Sequence, residues 1–127
     1  MLESQLPVAP TGLSPNGGTW SGGDSVTLTW RQVFGAESLA GDGYEVDIDY
    51  ASGANWVSYY TYDTSSASQT FWPQIDPATY RWRVRAQNEA GWGAWSAFAT
   101  FDYASSWGWR RIRLTEARTR QLLGVSS

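Results

Sequence analysis

Tyr80-Arg81-Trp82-Arg83-Val84-Arg85-Ala86-Gln87-Asn88-Glu89-Ala90-Gly91-Trp92-Gly93-Ala94-Trp95-Ser96 is the stretch that decides how the chain is read. From Tyr80 to Ala86 the even positions Tyr80, Trp82, Val84 and Ala86 are apolar and the odd positions Arg81, Arg83 and Arg85 are cationic. A period of two places one set on a buried sheet face and the other on a wet one. The stretch therefore predicts a strand with a core face and an arginine stripe, followed by a tight loop at Asn88–Gly91 and the start of another strand that carries Trp92 and Trp95.

Outward from this stretch the same signals recur. Ser25-Val26-Thr27-Leu28-Thr29-Trp30 and Tyr44-Glu45-Val46-Asp47-Ile48-Asp49-Tyr50 alternate in the same way, and Trp56-Val57-Ser58-Tyr59-Tyr60-Thr61-Tyr62 is a third strand candidate. Turn signals separate them at Asn16-Gly17-Gly18, Ser21-Gly22-Gly23-Asp24 and Gly41-Asp42-Gly43. Short alternating runs between glycine-rich turns predict an all-β sandwich. The 127 residues hold one domain and a tail, and a domain of that size buries about two-thirds of its unfolded surface.

In this order the motifs resemble a fibronectin type III domain. Ala9-Pro10-Thr11-Gly12-Leu13-Ser14-Pro15 is similar to that family's proline-rich A strand, Ser25–Trp30 to its B strand, Tyr44–Tyr50 to its C strand and Tyr80–Ala86 to its F strand. The resemblance implies a seven-stranded immunoglobulin-like β-sandwich over residues 7–104, with a leader at 1–6 and a tail at 105–127. It puts Trp30, Val46, Ile48, Tyr80, Trp82 and Val84 in the core and gives Tyr80 the role of the corner tyrosine, whose hydroxyl returns to the backbone a few residues upstream. Trp92-Gly93-Ala94-Trp95-Ser96 is similar to the Trp-Ser-x-Trp-Ser motif of cytokine-receptor domains in this family, with Gly93 in place of the first serine. No Arg-Gly-Asp stands in the loop at Asn88–Gly91, so integrin binding is not carried over. The B–C connection from Arg31 to Gly43, with Phe34 and Leu39, is longer than the family's usual one.

Composition narrows the chemistry. The chain has no Cys and no His, which removes disulfides, thiolate and imidazole nucleophile systems and the commonest metal ligand. No calcium-loop spacing or glycine-rich phosphate motif is present, and Glu45, Asp47 and Asp49 alternate along one strand rather than facing each other across a cleft. The expectation is a non-enzyme with no cofactor and no metal. Residues 1–105 hold eleven acids against four Arg, a balance of −7, and residues 106–127 hold five Arg against Glu116, a balance of +4, which together give −3. An acidic body argues against a nucleic-acid platform. Neither a secretion signal nor a membrane span is read in the chain.

Two readings of the arginine stripe are open. With strands C and F as neighbours, Arg81, Arg83 and Arg85 lie beside Glu45, Asp47 and Asp49 as a cross-strand ion ladder; otherwise they form an anion-binding stripe. Trp92 and Trp95 are likewise either folded onto Arg83 and Arg85 or offered to a ligand. Nine Trp and seven Tyr exceed the needs of one small core. Strand C′ is expected to carry Trp56, Tyr60 and Tyr62 as an aromatic row on one face and Tyr59 on the other, so Trp56, Tyr60, Tyr62, Trp92, Trp95, Arg81, Arg83 and Arg85 are the candidate ligand-binding residues.

The tail departs in composition. Trp107, Trp109, Arg110, Arg111, Arg113 and Leu114 are candidate partner-docking residues, and Thr115 is placed to cap a short helix over Glu116–Leu123. The expected function is a non-catalytic binding or spacer module of an extracellular or cell-surface protein of bacterial type, with carbohydrate or protein as partner, and no nucleic acid. The alternative is a structural subunit, a virion decoration protein or filament component, that self-assembles through the tail; a chain starting at Met1 without a signal favours it.

Overall fold

A computed structural model describes residues 6–21, 23–33 and 43–104. Among the described residues eight strands are formed where the sequence reading expected seven: β1 (Thr19–Ser21), β2 (Val26–Thr29), β3 (Tyr44–Ser52), β4 (Asn55–Thr64), β5 (Ser68–Phe71), β6 (Ala78–Asn88), β7 (Gly91–Trp92) and β8 (Ala99–Ala104). The large sheet runs β1-β8-β6-β3-β4, with β7 hairpinned onto β6, and the small sheet pairs β2 with β5. The proline-rich segment 9–15 forms no strand; it is held by the isolated bridge Ser14↔Thr29 and by the Arg31 amide donating to Thr11 O. The additional strands among the described residues are β1, which pairs parallel to β8, and the two-residue β7.

The core lies between the two sheets, and alternation builds it. Along β6 every second side chain from Tyr80 to Ala86 is buried, and β2 and β8 bury Val26, Leu28, Ala99, Phe101 and Tyr103 by the same rule. Val46 and Ile48 from β3, Trp82 and Val84 from β6 and Phe71 from β5 are fully buried, and Trp30 closes one end against the rings of Tyr44 and Trp82 at 5.3 and 5.9 Å. The Tyr80 ring stacks on Phe101 at 5.9 Å and meets Phe71 edge-on at 5.5 Å. Its hydroxyl donates to Ile75 O (2.7 Å) and accepts from Ile75 N (3.2 Å), which fastens the turn before β6 to the core. Burial holds that phenol well above the ordinary tyrosine pKa, so it stays protonated and keeps donating.

One irregularity positions the aromatic residues of β4. The β3–β4 ladder passes from Ile48↔Tyr60 to Asp49↔Ser58, so Tyr59 is an extra, bulged residue. Its ring turns inward against Phe71 and Tyr80 at 5.9 and 5.5 Å, and its hydroxyl donates to Trp72 O and accepts from Gln74 N.

The candidate functional site: an arginine and aromatic ladder

Because β3 and β6 pair in register, the outward residues meet one to one: Glu45↔Arg85, Asp47↔Arg83 and Asp49↔Arg81. Each pair is an ion pair, with Arg81 Nε 2.8 Å from Asp49 Oδ2, Arg83 Nε 3.4 Å from Asp47 Oδ2 and Arg85 Nη2 3.0 Å from Glu45 Oε1. The arginine side chains are 27–32% exposed and their acids 13–22%, so each pair contributes roughly 0.2–1 kcal/mol and acts mainly on register.

The faces of the guanidinium groups are occupied by rings. Arg81 lies over Trp56 at 4.6 Å and over Phe98 at 4.1 Å; Arg83 lies over Trp95 at 4.3 Å and Phe98 at 5.0 Å; Arg85 lies over Trp92 and Trp95, each at 4.6 Å. In spatial order the stack is Trp56, Arg81, Phe98, Arg83, Trp95, Arg85, Trp92. A guanidinium is planar, so it donates in plane to a carboxylate while both faces remain available for π contacts, each worth about 0.5–2 kcal/mol. The surplus of tryptophan in the sequence is therefore partly spent inside the molecule. Arginine supplies the charge and the plane together, which lysine cannot do.

The segment between β7 and β8 delivers the rings. Gly93 N donates to Ala86 O and Ser96 N to Val84 O, both at 2.8 Å, so the segment runs alongside β6. Ser96 is buried; its Oγ accepts from Val84 N at 3.0 Å and donates to Ala97 O at 2.9 Å, completing the backbone pairing of β6 at that point. Trp92, Trp95 and Phe98 recur at every third residue, the period of an extended polyproline-type chain, which turns every third side chain to one side. Phe98 was missed by sequence reasoning, and that period of three was the available signal; Ser96 was read only as the last residue of the motif at 92–96.

The eight candidate ligand residues do not form one row. Trp56 pairs with Ala51 on the outer face and joins the ladder, whereas Tyr60 and Tyr62 oppose Ile48 and Val46 on the inward face, their rings 4.5 Å apart. The expected grouping of Trp56 with Tyr60 and Tyr62 is thus corrected, because the bulge at Tyr59 reverses which face the following residues present. Burial and the neighbouring Tyr59 and Tyr60 raise the pKa of Tyr62. Among the described residues no group of His, Cys, Asp and Glu is placed to hold a metal ion, and no helix is long and apolar enough to cross a membrane. Trp107, Trp109, Arg110, Arg111, Arg113, Leu114, the helix expected over Glu116–Leu123, and Phe34 and Leu39 of the B–C connection lie outside the described residues.

Gly93 has a packing role that its sequence context does not show. A Cβ there would overlap the carbonyl oxygen of Pro7 and stand 3.3 Å from Pro7 Cδ, because the N-terminal segment crosses the ladder strand at this point. Gly93→Ser, which would spell Trp-Ser-x-Trp-Ser, is expected to destabilise the domain by about 1–3 kcal/mol. A thermal midpoint unchanged by the substitution would show that Pro7 moves aside freely.

No protein-family model matches the sequence, and no curated protein matches it. Solved structures do. A fibronectin-type-III-like protein from Clostridium thermocellum is 26% identical, with a TM-score of 0.56 over 78% of this chain and 95% of that one. The fifth fibronectin domain of Drosophila Lar is 14% identical, with a TM-score of 0.57 over 78% of this chain and 98% of that one. The chain has the fibronectin type III fold.

Proposed function

We propose that this fibronectin type III sandwich is a non-catalytic binding module that recognises carbohydrate or protein through the outer aromatic face of β4, β3 and β6, in an extracellular or cell-surface protein or assembly. The fold is that of a binding or spacer module. The observation that carries the finer reading is the end of the ladder at Trp56. This ring is 39% exposed and has one guanidinium contact among the described residues, whereas each arginine lies over two rings and Trp95 meets two arginines. The flat apolar face of a sugar ring fits such an indole, and the edge of Phe98 widens the platform. In this reading Arg81, Arg83, Arg85, Trp92 and Trp95 hold the platform rigid rather than grip the ligand themselves, and Tyr60 and Tyr62 contribute from the far face of β4 or not at all.

The test is titration with a panel of polysaccharides, read by tryptophan fluorescence. Trp56→Ala is expected to abolish the response while lowering the thermal midpoint by only a few degrees, since one exposed cation–π contact is worth about 0.5–1 kcal/mol. A response that survives Trp56→Ala, or a wild-type chain that responds to no glycan, removes the sugar reading and leaves protein as the partner class.

A second reading, a structural subunit of a virion or filament, is favoured by a different observation. The long strand β4 is an outer edge of the large sheet and most of its residues are exposed. The notion that Trp107, Trp109, Arg110, Arg111, Arg113 and Leu114 dock on a neighbouring subunit belongs to this reading.

A further inference from the structure

We propose that Tyr59 is the positioning residue of the Trp56 platform: its side chain, anchored on the inner side of β4, holds the strand's one surplus residue at position 59 and so keeps the Trp56 indole on the outer face. The consequence for binding rests on the proposed role of Trp56, whereas the placement of Trp56 is read without a ligand. The two strands β3 and β4 are tied at two points that are out of step. At the hairpin end Ser52 pairs with Asn55 across a two-residue loop, and Gly53 takes the positive φ (+61°) that such a loop asks of its first residue. Further along, Ile48 pairs with Tyr60. Ser52 lies four steps beyond Ile48 and Tyr60 five steps beyond Asn55, so β4 carries one residue without a partner.

The ladder can absorb that residue in two ways. One is the bulge at Tyr59. The other pushes it into the loop, which then spans residues 53–55, another common hairpin length. Counting back from Ile48↔Tyr60, this second register sets residue 59 opposite Asp49, Ser58 opposite Tyr50, Val57 opposite Ala51 and Trp56 opposite Ser52. A slip of one residue exchanges faces, so Trp56 would turn inward, leave Arg81 and give its outer place to Val57. Backbone pairing alone favours that register, because a bulge leaves its extra residue outside the ladder. The Tyr59 side chain supplies what outweighs it. Its ring meets Tyr50, Phe71 and Tyr80 edge-on at 6.3, 5.9 and 5.5 Å. Its hydroxyl donates to Trp72 O at 2.8 Å and accepts from Gln74 N at 2.9 Å. A residue 59 turned outward opposite Asp49 could make none of these contacts. The segment leaving β5 thereby sets what the outer face of the large sheet presents.

Two variants of the full chain separate positioning from packing. Tyr59→Thr keeps the surplus residue and removes its anchor, whereas deletion of Tyr59 removes both and leaves Trp56 opposite Ala51 by count. Both lose the same ring contacts, so both are expected to lower the thermal midpoint. The contact between the Trp56 indole and the Arg81 guanidinium, read by nuclear Overhauser effects, distinguishes them. It is expected in wild type, lost in Tyr59→Thr and retained in the deletion variant, an outcome that a purely structural role for Tyr59 would not give. A wild-type glycan response is expected to follow the contact, lost with Tyr59→Thr and kept on deletion. Tyr59→Phe keeps the ring and removes both hydrogen bonds; it is expected to weaken the contact and add a second set of Trp56 signals, and it serves if Tyr59→Thr does not fold. A contact that persists in each substituted chain that folds, or that disappears when residue 59 is deleted, overturns the proposal and leaves Tyr59 as a packing residue only. A wild type that answers no glycan removes the sugar reading of Trp56 and leaves this measurement intact, so either reading can fail alone.

Discussion

Trp82→Ala is expected to remove about 3–5 kcal/mol of folding free energy, the largest single loss in the molecule. Trp82 is fully buried at the centre of β6, opposite Ile48 on one side and Ala99 on the other, with the Trp30 ring 5.9 Å away. Its Nε1 donates to Pro15 O at 3.1 Å, so the indole also anchors the segment leading to β1. Truncation leaves a cavity between two sheets that are each locked by their own ladders, and the surroundings have little freedom to collapse. It also strands the Pro15 carbonyl. Against a total stability of about 5–15 kcal/mol, such a loss brings the chain close to unfolding at 37 °C. Urea titration followed by circular dichroism should show a much lower midpoint with an unchanged slope. Trp72→Ala is the matched control, since Trp72 is 56% exposed. If the two replacements cost the same, the division of tryptophans into core and surface is wrong.

That division was legible for strands in which burial alternates without interruption. Tyr80–Ala86 and Tyr44–Ile48 alternate through their whole length, so core face, register and the pairing of three arginines with three acids all follow from one period of two. The contact of Trp92 and Trp95 with Arg83 and Arg85 was legible as one of two readings because few other groups suit a tryptophan face on a wet surface. What was not legible depends on irregular or long-range geometry. The bulge at Tyr59 has no glycine or proline to mark it; it is set by the Tyr59 hydroxyl reaching the backbone of Trp72 and Gln74. That one residue moved Tyr60 and Tyr62 to the opposite face from Trp56. Ser68–Phe71 is too short to display a period, and the contact of Pro7 with Gly93 joins segments more than eighty residues apart. Phe98 escaped notice because a period of three was not sought.

Arg83 is the point at which the ladder can be tested for what holds it together. It is the middle guanidinium, over Trp95 at 4.3 Å and Phe98 at 5.0 Å, with Asp47 at 3.4 Å. Two ring contacts at about 0.5–2 kcal/mol each and a partly exposed ion pair at roughly 0.2–1 kcal/mol sum to about 1–5 kcal/mol, the expected cost of Arg83→Ala. Arg83→Lys separates the two contributions. Lysine keeps the charge and can still reach Asp47, but its ammonium is a compact, strongly hydrated point that cannot lie flat between two rings. If stacking dominates, Arg83→Lys costs nearly as much as Arg83→Ala. The loss then changes little between about 0.1 M and 1 M salt, because contacts made at a covered ring face are screened far less than an exposed ion pair. If the ion pairs dominate, Arg83→Lys is close to wild type, and raising the salt lowers the stability of both. The geometry favours the first outcome: the Asp47 pair is the longest of the three, while both faces of the ladder's middle rung are engaged by rings. Thermal midpoints of wild type, Arg83→Ala and Arg83→Lys at the two salt concentrations decide it. Equality of Arg83→Lys with wild type at low salt would reduce the aromatic stack to a covering layer and return the stability of this face to the ion ladder alone.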